Sequence, residues 1–177
     1  VQVAGLGMFD QGFYNRLGFG TGPYELHTTF DPSLLMTQVR PRTPDRLCVE
    51  DWEAVHASRR ARRLGHGALN IEPALYTRGE MLETSNGFGL GYRDAEGRIT
   101  HHLWVGTEET RRGPYEIKWM AWRTPEQFHE LMALVKGLGD QVMAVKMREP
   151  VGIQLQDLLR RPLYRWRVAE GSKYATG

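Results

Sequence analysis

Three consecutive segments between residues 88 and 121 alternate apolar side chains with small or polar ones, and this pattern limits the possible folds more than any other feature of the chain. A period of two places every second side chain on the same face of a strand. The segment RDAEGR, residues 93–98, predicts a hairpin turn between the first two. We therefore expect three strands of an antiparallel sheet, with the alternating sets Phe88, Leu90 and Tyr92; Ile99, His101, Leu103 and Val105; and Tyr115, Ile117, Trp119 and Ala121.

A helix at residues 125–138 follows the third strand, and both of its ends are marked in the sequence. Thr124 is placed as the N-cap, Pro125 occupies the first helical position, and Gln127 completes a capping box. Gly139 ends the helix. One apolar stripe faces the predicted core, and it consists of Phe128, Leu131, Met132, Val135 and Leu138.

Weaker patterns supply the remaining elements. After residue 46 the predicted order is strand, two helices, the three antiparallel strands, helix, strand, short helix and strand. The additional elements are residues 47–49, 51–64, 73–82, 142–147, 153–159 and 164–168. Before residue 31 we expect a buried strand at residues 1–9, one or two helical turns at 10–17 ended by Gly18 and Gly20, and a strand at 24–30. This order predicts an α+β protein with a mixed, mostly antiparallel sheet flanked by helices.

A connection at residues 31–46 is the predicted domain boundary, because Pro32, Pro41 and Pro44 lie in it. The chain ends in a strand–short helix–strand unit that has the same pattern as the unit with which it begins. Two copies of one architecture, the first of them represented only by its end, would account for this repetition.

Composition excludes few classes of protein. A chain of 177 residues can bury a core without disulfides, and its single cysteine, Cys48, fits a reducing compartment such as the cytoplasm. The formal net charge of +2 is too small to indicate a nucleic-acid partner. No apolar run approaches the roughly 20 residues of a membrane-spanning helix, so we expect no membrane partner.

Residues 12–20, GFYNRLGFG, resemble the late helix and turn of the GNAT superfamily of acetyl-CoA-dependent N-acetyltransferases, in which an FY-x-(K/R)-(L/F)-G-(F/Y) pattern recurs. The predicted order of elements is also similar to that fold. The resemblance implies acetyl transfer from acetyl-CoA to a primary amine. It also implies that Tyr14 is the general acid that returns a proton to the departing coenzyme A thiolate; the general base stays open.

Residues 14–20, YNRLGFG, further resemble the YGRFGYG signature of the enhanced-intracellular-survival type of acetyltransferase, and residues 115–147 and 158–168 resemble its central domain. That family joins a catalytic GNAT domain, a second GNAT-like domain and a sterol-carrier-like C-terminal domain. The resemblance implies that residues 1–31 are the C-terminal end of a catalytic GNAT domain and that residues 32–177 are a second, non-catalytic one. It also implies a homo-oligomer whose acceptors are small-molecule amines such as aminoglycosides, or protein lysines.

The chain departs from the GNAT pattern at the cofactor site. GNAT enzymes hold the pyrophosphate of acetyl-CoA with a (Q/R)-x-x-G-x-(G/A) loop, whose backbone N–H groups point at phosphate from a helix N-terminus. This chain has no such motif, and WRTPEQFHEL, residues 122–131, stands at the equivalent point. Pro125 has no N–H and Thr124 caps the helix itself. We therefore expect the phosphate-binding loop to lie before Val1 and this piece alone to be inactive.

Alternatives to these functional interpretations stay open. Tyr14 and Phe13 could simply pack the helical turn onto a sheet. The RRARR segment, residues 59–63, could be a nucleic-acid patch, although we expect a solvated helix end because acidic residues lie at the start of the same helix. As a whole, the chain could be a non-catalytic binding or assembly module with a GNAT shape, since a fold does not fix its chemistry.

Several other residues suggest sites but fit structural roles better. His101 and His102 are neighbours on a strand and should point to opposite faces, so they cannot chelate one metal ion, and Cys48 has no zinc-ligand spacing. We therefore expect no metal site. The G-x-G-x-G string at residues 87–91 lies in a strand, where a bulge or close backbone approach explains it better than a phosphate-binding turn. Three tryptophans are assigned to core packing, although they could line a substrate groove: Trp104, Trp119 and Trp122.

Overall fold

The structure is a computed structural model that describes residues 13–20, 26–62, 73–111, 113–161 and 165–168. Its centre is a seven-stranded sheet with the order β2-β3-β4-β5-β6-β1-β7. The strands are β1 Leu26–Phe30, β2 Asp45–Leu47, β3 Phe88–Arg93, β4 Ile99–Gly106, β5 Tyr115–Ala121, β6 Val145–Arg148 and β7 Arg165–Val168. Three α-helices accompany it among the described residues: α1 Trp52–Ala61, α2 Leu75–Glu83 and α3 Pro125–Gly137. The predicted α+β class is confirmed.

The order of elements agrees with the sequence prediction throughout the described residues. The capping box of α3 is present, with Thr124 and Gln127 in the predicted roles. The predicted short helix near residue 155 is a single turn, Leu155–Leu158, and the first short strand is Asp45–Leu47 rather than residues 47–49. The predicted strand at residues 1–9 lies outside the described residues. No helix in the described ranges is both long and apolar enough to cross a membrane.

Two apolar cores lie on opposite faces of the sheet. The larger core packs α3 against the sheet and includes Phe30, Leu103 and Leu131, each completely buried. The smaller core packs α1 and α2 against the other face and includes Val55, Met81 and Trp104. His101 and His102 point to opposite faces, as predicted, so each of them joins a different layer of the molecule.

An irregularity in β5 corrects the predicted alternation of that strand. Trp104 lies opposite Trp119, but the next residue of β4, Val105, lies opposite Ile117, so β5 carries one extra residue at this point. Such a bulge switches the faces on either side of it. Ile117 therefore belongs to the α3 core, whereas Trp119 stacks on Trp104 beneath α1, with ring centroids 5.8 Å apart. The prediction that Ile117 and Trp119 share one face was wrong.

Strand β1 lies inside the sheet, between β6 and β7, and is antiparallel to both. The predicted boundary after residue 31 thus follows a strand that pairs with strands from the other side of that boundary. The assignment of residues 1–31 to a preceding domain stays a prediction, and it now requires that the last strand of that domain enters the sheet of the next.

Close backbone approach explains the glycines of β3. A Cβ atom built on Gly89 would lie 2.8 Å from Leu47 Cβ and 2.9 Å from Trp104 Cε3. Both neighbours are completely buried, so they cannot move aside into solvent. Gly89 therefore lets β2 and the stacked pair Trp104 and Trp119 pack closely against β3.

The Gly89→Ala variant should lower the free energy of unfolding by about 1–3 kcal/mol, because the added methyl group overpacks the smaller core. Gly79→Ala is the matched control: Gly79 lies in α2 with open space around its Cβ position, and alanine there should raise helix stability by about 1 kcal/mol. Urea unfolding followed by circular dichroism measures both. A Gly89→Ala variant as stable as the wild type would contradict the close approach.

Candidate functional site

The parallel pair β5–β6 lies in the middle of the sheet, close to the start of α3. The two strands pair from Tyr115 opposite Val145 to Ile117 opposite Met147. Beyond that point β5 continues to Ala121 without a further pair to β6, and α3 begins shortly after it at Pro125. Open sheets bind ligands at the carboxyl ends of their strands and at helix N-termini. The place where the β5–β6 pairing ends beside α3, hereafter the gap, is therefore the candidate site of the described part of the chain.

The helix N-terminus at this gap does not fit a pyrophosphate group. Gln127 Oε1 accepts a hydrogen bond from the N–H of Arg123 at 2.7 Å, and Thr124 Oγ1 accepts one from the N–H of Gln127 at 3.4 Å. Pro125 offers no N–H. Hydrogen bonding with Thr124 lowers the pKa of the Glu126 carboxyl, which places a negative charge in the first turn. Side chains of the chain itself thus satisfy the donors that would bind phosphate, as the sequence predicted.

Tyr14 begins a single-turn helix, Tyr14–Leu17, and its ring is held by aromatic neighbours. The ring meets those of Phe13 and Phe19 edge-on, with centroids 5.2 Å and 5.8 Å away. Gly18 ends the turn with a φ of +87°, a conformation that favours glycine. Its N–H donates to Asn15 O at 3.1 Å, and Phe19 N–H donates to Tyr14 O at 3.1 Å. Tyr14 is half-buried in this compact turn.

His101 belongs to a charged cluster on the α3 face that the sequence did not predict. Glu130 of α3 accepts hydrogen bonds from Arg42 Nε at 2.9 Å and Nη2 at 3.0 Å, and His101 Nε2 lies 3.0 Å from the same carboxylate. The Arg42 contacts lower the pKa of Glu130 to about 2, against the effect of burial. The Tyr92 ring stacks on that of His101, and burial raises the pKa of the Tyr92 hydroxyl to about 12. The cluster fastens the connection that contains Arg42 to the sheet and to α3.

His102 lies on the other face in a fully buried polar cluster with Ser58 and Trp119. Its Nε2 accepts a hydrogen bond from Trp119 Nε1–H at 3.2 Å, and its Nδ1 lies 3.1 Å from Ser58 Oγ. Because Nε2 is an acceptor, the neutral ring carries its proton on Nδ1 and donates it to Ser58. Nδ1 therefore cannot take a proton from Ser58, so this serine–histidine pair has a structural role and is not a nucleophile with its base.

Arg59 corrects the prediction that RRARR is a solvated helix end. Its side chain is buried, donates to Thr77 Oγ1 at 3.0 Å, forms an ion pair with Glu80 of α2 and lies over the Trp119 ring at 4.2 Å. The spacing from Val55 to Arg59 is one helical turn, so the residue shares the buried face of α1. That spacing could have predicted the buried position of Arg59, whereas nothing in the sequence predicts its ion pair with Glu80.

A surface cavity of about 180 Å³ lies at the opposite end of β5 and β6 from the gap. Glu116 occupies its centre, with its carboxylate 2.8 Å from Lys118 Nζ and 3.0 Å from Lys146 Nζ. The other charged residues that line it are acidic, namely Glu83, Glu108 and Glu109. The lysines are thus already paired, and the cavity does not suit an anionic cofactor.

Neither Cys48 nor the histidines form a metal site in the described part of the chain. Cys48 is exposed, and hydrogen bonds with Glu50 and Asp51 raise the pKa of its thiol. Within the described residues, no group of three or more His, Cys, Asp or Glu side chains is placed to hold an ion.

The fold is that of the GCN5-related N-acetyltransferases. A conserved Enterococcus faecalis protein described as a "Probable N-Acyltransferase" superposes with a TM-score of 0.70 at 17% identity, over 90% of this chain and 41% of that one. Eis1 from Mycobacterium abscessus superposes with a TM-score of 0.65 at 15% identity, over 90% and 42%. A GCN5-related N-acetyltransferase from Kribbella flavida has a TM-score of 0.60 at 15% identity, over 88% and 38%.

These likenesses concern the fold, and this chain spans about two fifths of the length of each of the three structures. Neither the protein-family models nor the curated protein sequences include a match.

Proposed function

We propose that this chain is part of an acetyl-CoA-dependent N-acetyltransferase that acetylates a primary amine. The observation that carries the proposal is the likeness in fold, over 90% of the chain, to a protein described as a probable N-acyltransferase. The enhanced-intracellular-survival resemblance adds the acceptor class, a small amine of aminoglycoside type or a protein lysine. It also supports residues 1–31 as the end of a catalytic unit and residues 32–177 as a second unit of a cytoplasmic homo-oligomer.

Tyr14 is the proposed general acid. A thiolate that leaves a thioester needs a proton donor within hydrogen-bond reach, and a phenol can supply that proton. The amine nitrogen attacks the thioester carbon as a base removes its proton, the carbon–sulfur bond breaks, and Tyr14 protonates the sulfur. The position of Tyr14 in the recurrent motif and the edge-on packing of its ring against Phe13 and Phe19 support this role.

The capped N-terminus of α3 supports a second unit that does not bind acetyl-CoA. It would contribute to the substrate wall and to a subunit interface instead. The same observation favours the alternative function, a GNAT-shaped binding or assembly module without catalysis. The two proposals differ in the longer protein that carries this chain: the enzyme releases free coenzyme A thiol from acetyl-CoA when an aminoglycoside or a lysine peptide is added, and the module does not.

Acetyl-CoA should produce no binding heat when it is titrated into the 177-residue chain, because the donors at α3 are already satisfied and Glu126 repels phosphate. Isothermal titration calorimetry measures this, with the longer protein as the positive control. A micromolar binding isotherm from the 177-residue chain would place the cofactor site within it and overturn the proposed division between the two units.

A further inference from the structure

Strand β1 precedes the connection at residues 31–44 in the chain, but its partners all follow that connection. It pairs with β6 from His27 opposite Arg148 to Phe30 opposite Val145. On its other side it pairs with β7, from Leu26 opposite Val168 to Thr29 opposite Arg165. β6 and β7 are both neighbours of β1 and are not neighbours of each other. Removing β1 would therefore leave an unpaired edge on each of two strands.

Strand β1 is held by apolar packing as well as by backbone hydrogen bonds. Phe30 is completely buried and Thr28 is 5% exposed. Phe30 belongs to the α3 core together with Val145, Met147 and Leu155, which all come from residues after the connection. Truncation of a buried aromatic side chain is among the most destabilising core substitutions. The segment is thus held by both backbone pairing and core packing.

The segment that follows β1 is also held in place by backbone hydrogen bonds. The segment after it runs beside the single turn Leu155–Leu158: Met36 N–H donates to Leu158 O at 2.8 Å, and Arg160 N–H donates to Leu34 O at 3.0 Å. The turn Pro32–Leu34 packs directly against the backbone of Gly139, since a Cβ atom built on Gly139 would lie 2.8 Å from Ser33 N. Residues 38–43 beyond it are exposed.

Tyr14 lies a short distance along the chain from this anchored strand. Gly18 ends the turn that contains Tyr14, and the stretch from Gly18 to Leu26 spans at most about 28 Å even when fully extended. We infer that β1 is a strand donated by the preceding unit, that the slot between β6 and β7 is its acceptor, and that the second unit thereby positions the turn that carries Tyr14. The positioning part of this inference rests on the proposed function.

A cleaved chain tests the acceptor slot. A protease recognition sequence is inserted between Gln38 and Val39, the folded chain is cut, and the cut protein is refolded from urea with an excess of a fluorescent peptide of residues 24–37. The peptide should replace the native fragment and co-elute with the remainder in gel filtration. A Thr28→Pro peptide should bind at least about tenfold more weakly, because proline removes a backbone donor from a strand that is paired on both edges. A Thr28→Val peptide is the matched control and should bind like the native one.

Two outcomes would overturn the acceptor slot. One is that the native fragment leaves after cleavage while the remainder keeps its melting temperature. The other is that the Thr28→Pro and Thr28→Val peptides bind equally. Neither measurement depends on acetyl transfer, so they test the slot whether or not the proposed enzyme activity exists.

A pair of glycine variants in the longer protein tests the positioning. The added methyl group in Gly139→Ala displaces the turn Pro32–Leu34 from its contact with the backbone of residue 139. The variant should therefore have a kcat about tenfold lower or more, with an unchanged KM for acetyl-CoA. Gly137→Ala, with open space at its Cβ position two residues earlier, should leave kcat unchanged. An unchanged kcat in Gly139→Ala would refute the positioning, whereas an inactive wild type alongside successful peptide exchange would refute only the proposed function.

Discussion

Replacing Tyr14 by phenylalanine in the longer protein should lower turnover by about 10²–10⁴-fold, which is the usual contribution of a general acid. The variant removes one hydroxyl group and keeps the ring that packs edge-on against Phe13 and Phe19. The turn should therefore keep its shape. Because the lost interaction exists only as the thiolate departs, kcat and kcat/KM should fall together and the KM for acetyl-CoA should change little. Release of free thiol, followed with a chromogenic disulfide, measures both constants.

A second tyrosine provides the matched control for this variant. Tyr76 is 62% exposed on α2, and Tyr76→Phe should keep the wild-type rate. A Tyr14→Phe enzyme with wild-type turnover would leave Tyr14 only its packing role.

Local signals in the sequence predicted most of the fold. The capping box at Thr124, the proline at the first position of α3 and the turn at residues 93–98 each depend on neighbouring residues, and all three are present in the structure. Period-two alternation placed β3 and residues 101–105 of β4 correctly, but Ile99 was placed wrongly: a register shift beside Thr100 puts it in the smaller core, whereas Leu103 and Val105 lie in the larger one. The same rule failed in β5, because the bulge opposite Trp104 and Val105 depends on how two strands fit together and leaves no mark in the alternation itself.

The position of β1 between β6 and β7 could not be predicted from local sequence, because pairing partners far apart in the chain are chosen by the whole sheet. The ion pair between Arg42 and Glu130 is of the same kind, since its members are 88 positions apart in the chain. Arg59 differs from both. Its helical spacing from the buried Val55 indicated an inward position, and the run of four arginines concealed that signal. The parallel β5–β6 pair was not predicted, and only the resemblance to the GNAT fold marked residues 122–131 beside it as the equivalent of a phosphate-binding loop.

The buried cluster around His102 should make the 177-residue chain sensitive to acid. His102 is completely buried next to Arg59, and burial together with that charge lowers its pKa from 6.5 to about 3. Protonation would also turn Nε2 into a donor facing the Trp119 N–H that it now accepts. An unfolded chain gains the proton below about pH 6.5 while the folded chain does not, so this contribution to stability is complete above pH 6.5 and is lost as the pH falls toward 3.

Between pH 6.5 and 4.5 this linkage should lower the free energy of unfolding by about 3 kcal/mol, at about 1.4 kcal/mol for each pH unit. His101, whose pKa is lowered by burial and partly restored by Glu130, adds a smaller contribution of the same sign. Glu130, with its pKa of about 2, contributes only below about pH 4.5. The free energy of unfolding of His102→Gln should therefore change much less between pH 6.5 and 4.5 than that of the wild type, even if the variant is less stable than the wild type at pH 7.

Urea unfolding at pH 7 and at pH 4.5, followed by circular dichroism, measures this difference in the wild type and in each variant. His129→Gln is the matched control, because His129 lies exposed on α3 with its ring against Phe128, and the variant should keep the wild-type loss. Equal losses of stability in wild type and His102→Gln would show that His102 is not held neutral between Ser58 and Trp119. The tautomer that excludes a nucleophilic Ser58 would then have to be reconsidered, since both conclusions depend on the same two hydrogen bonds.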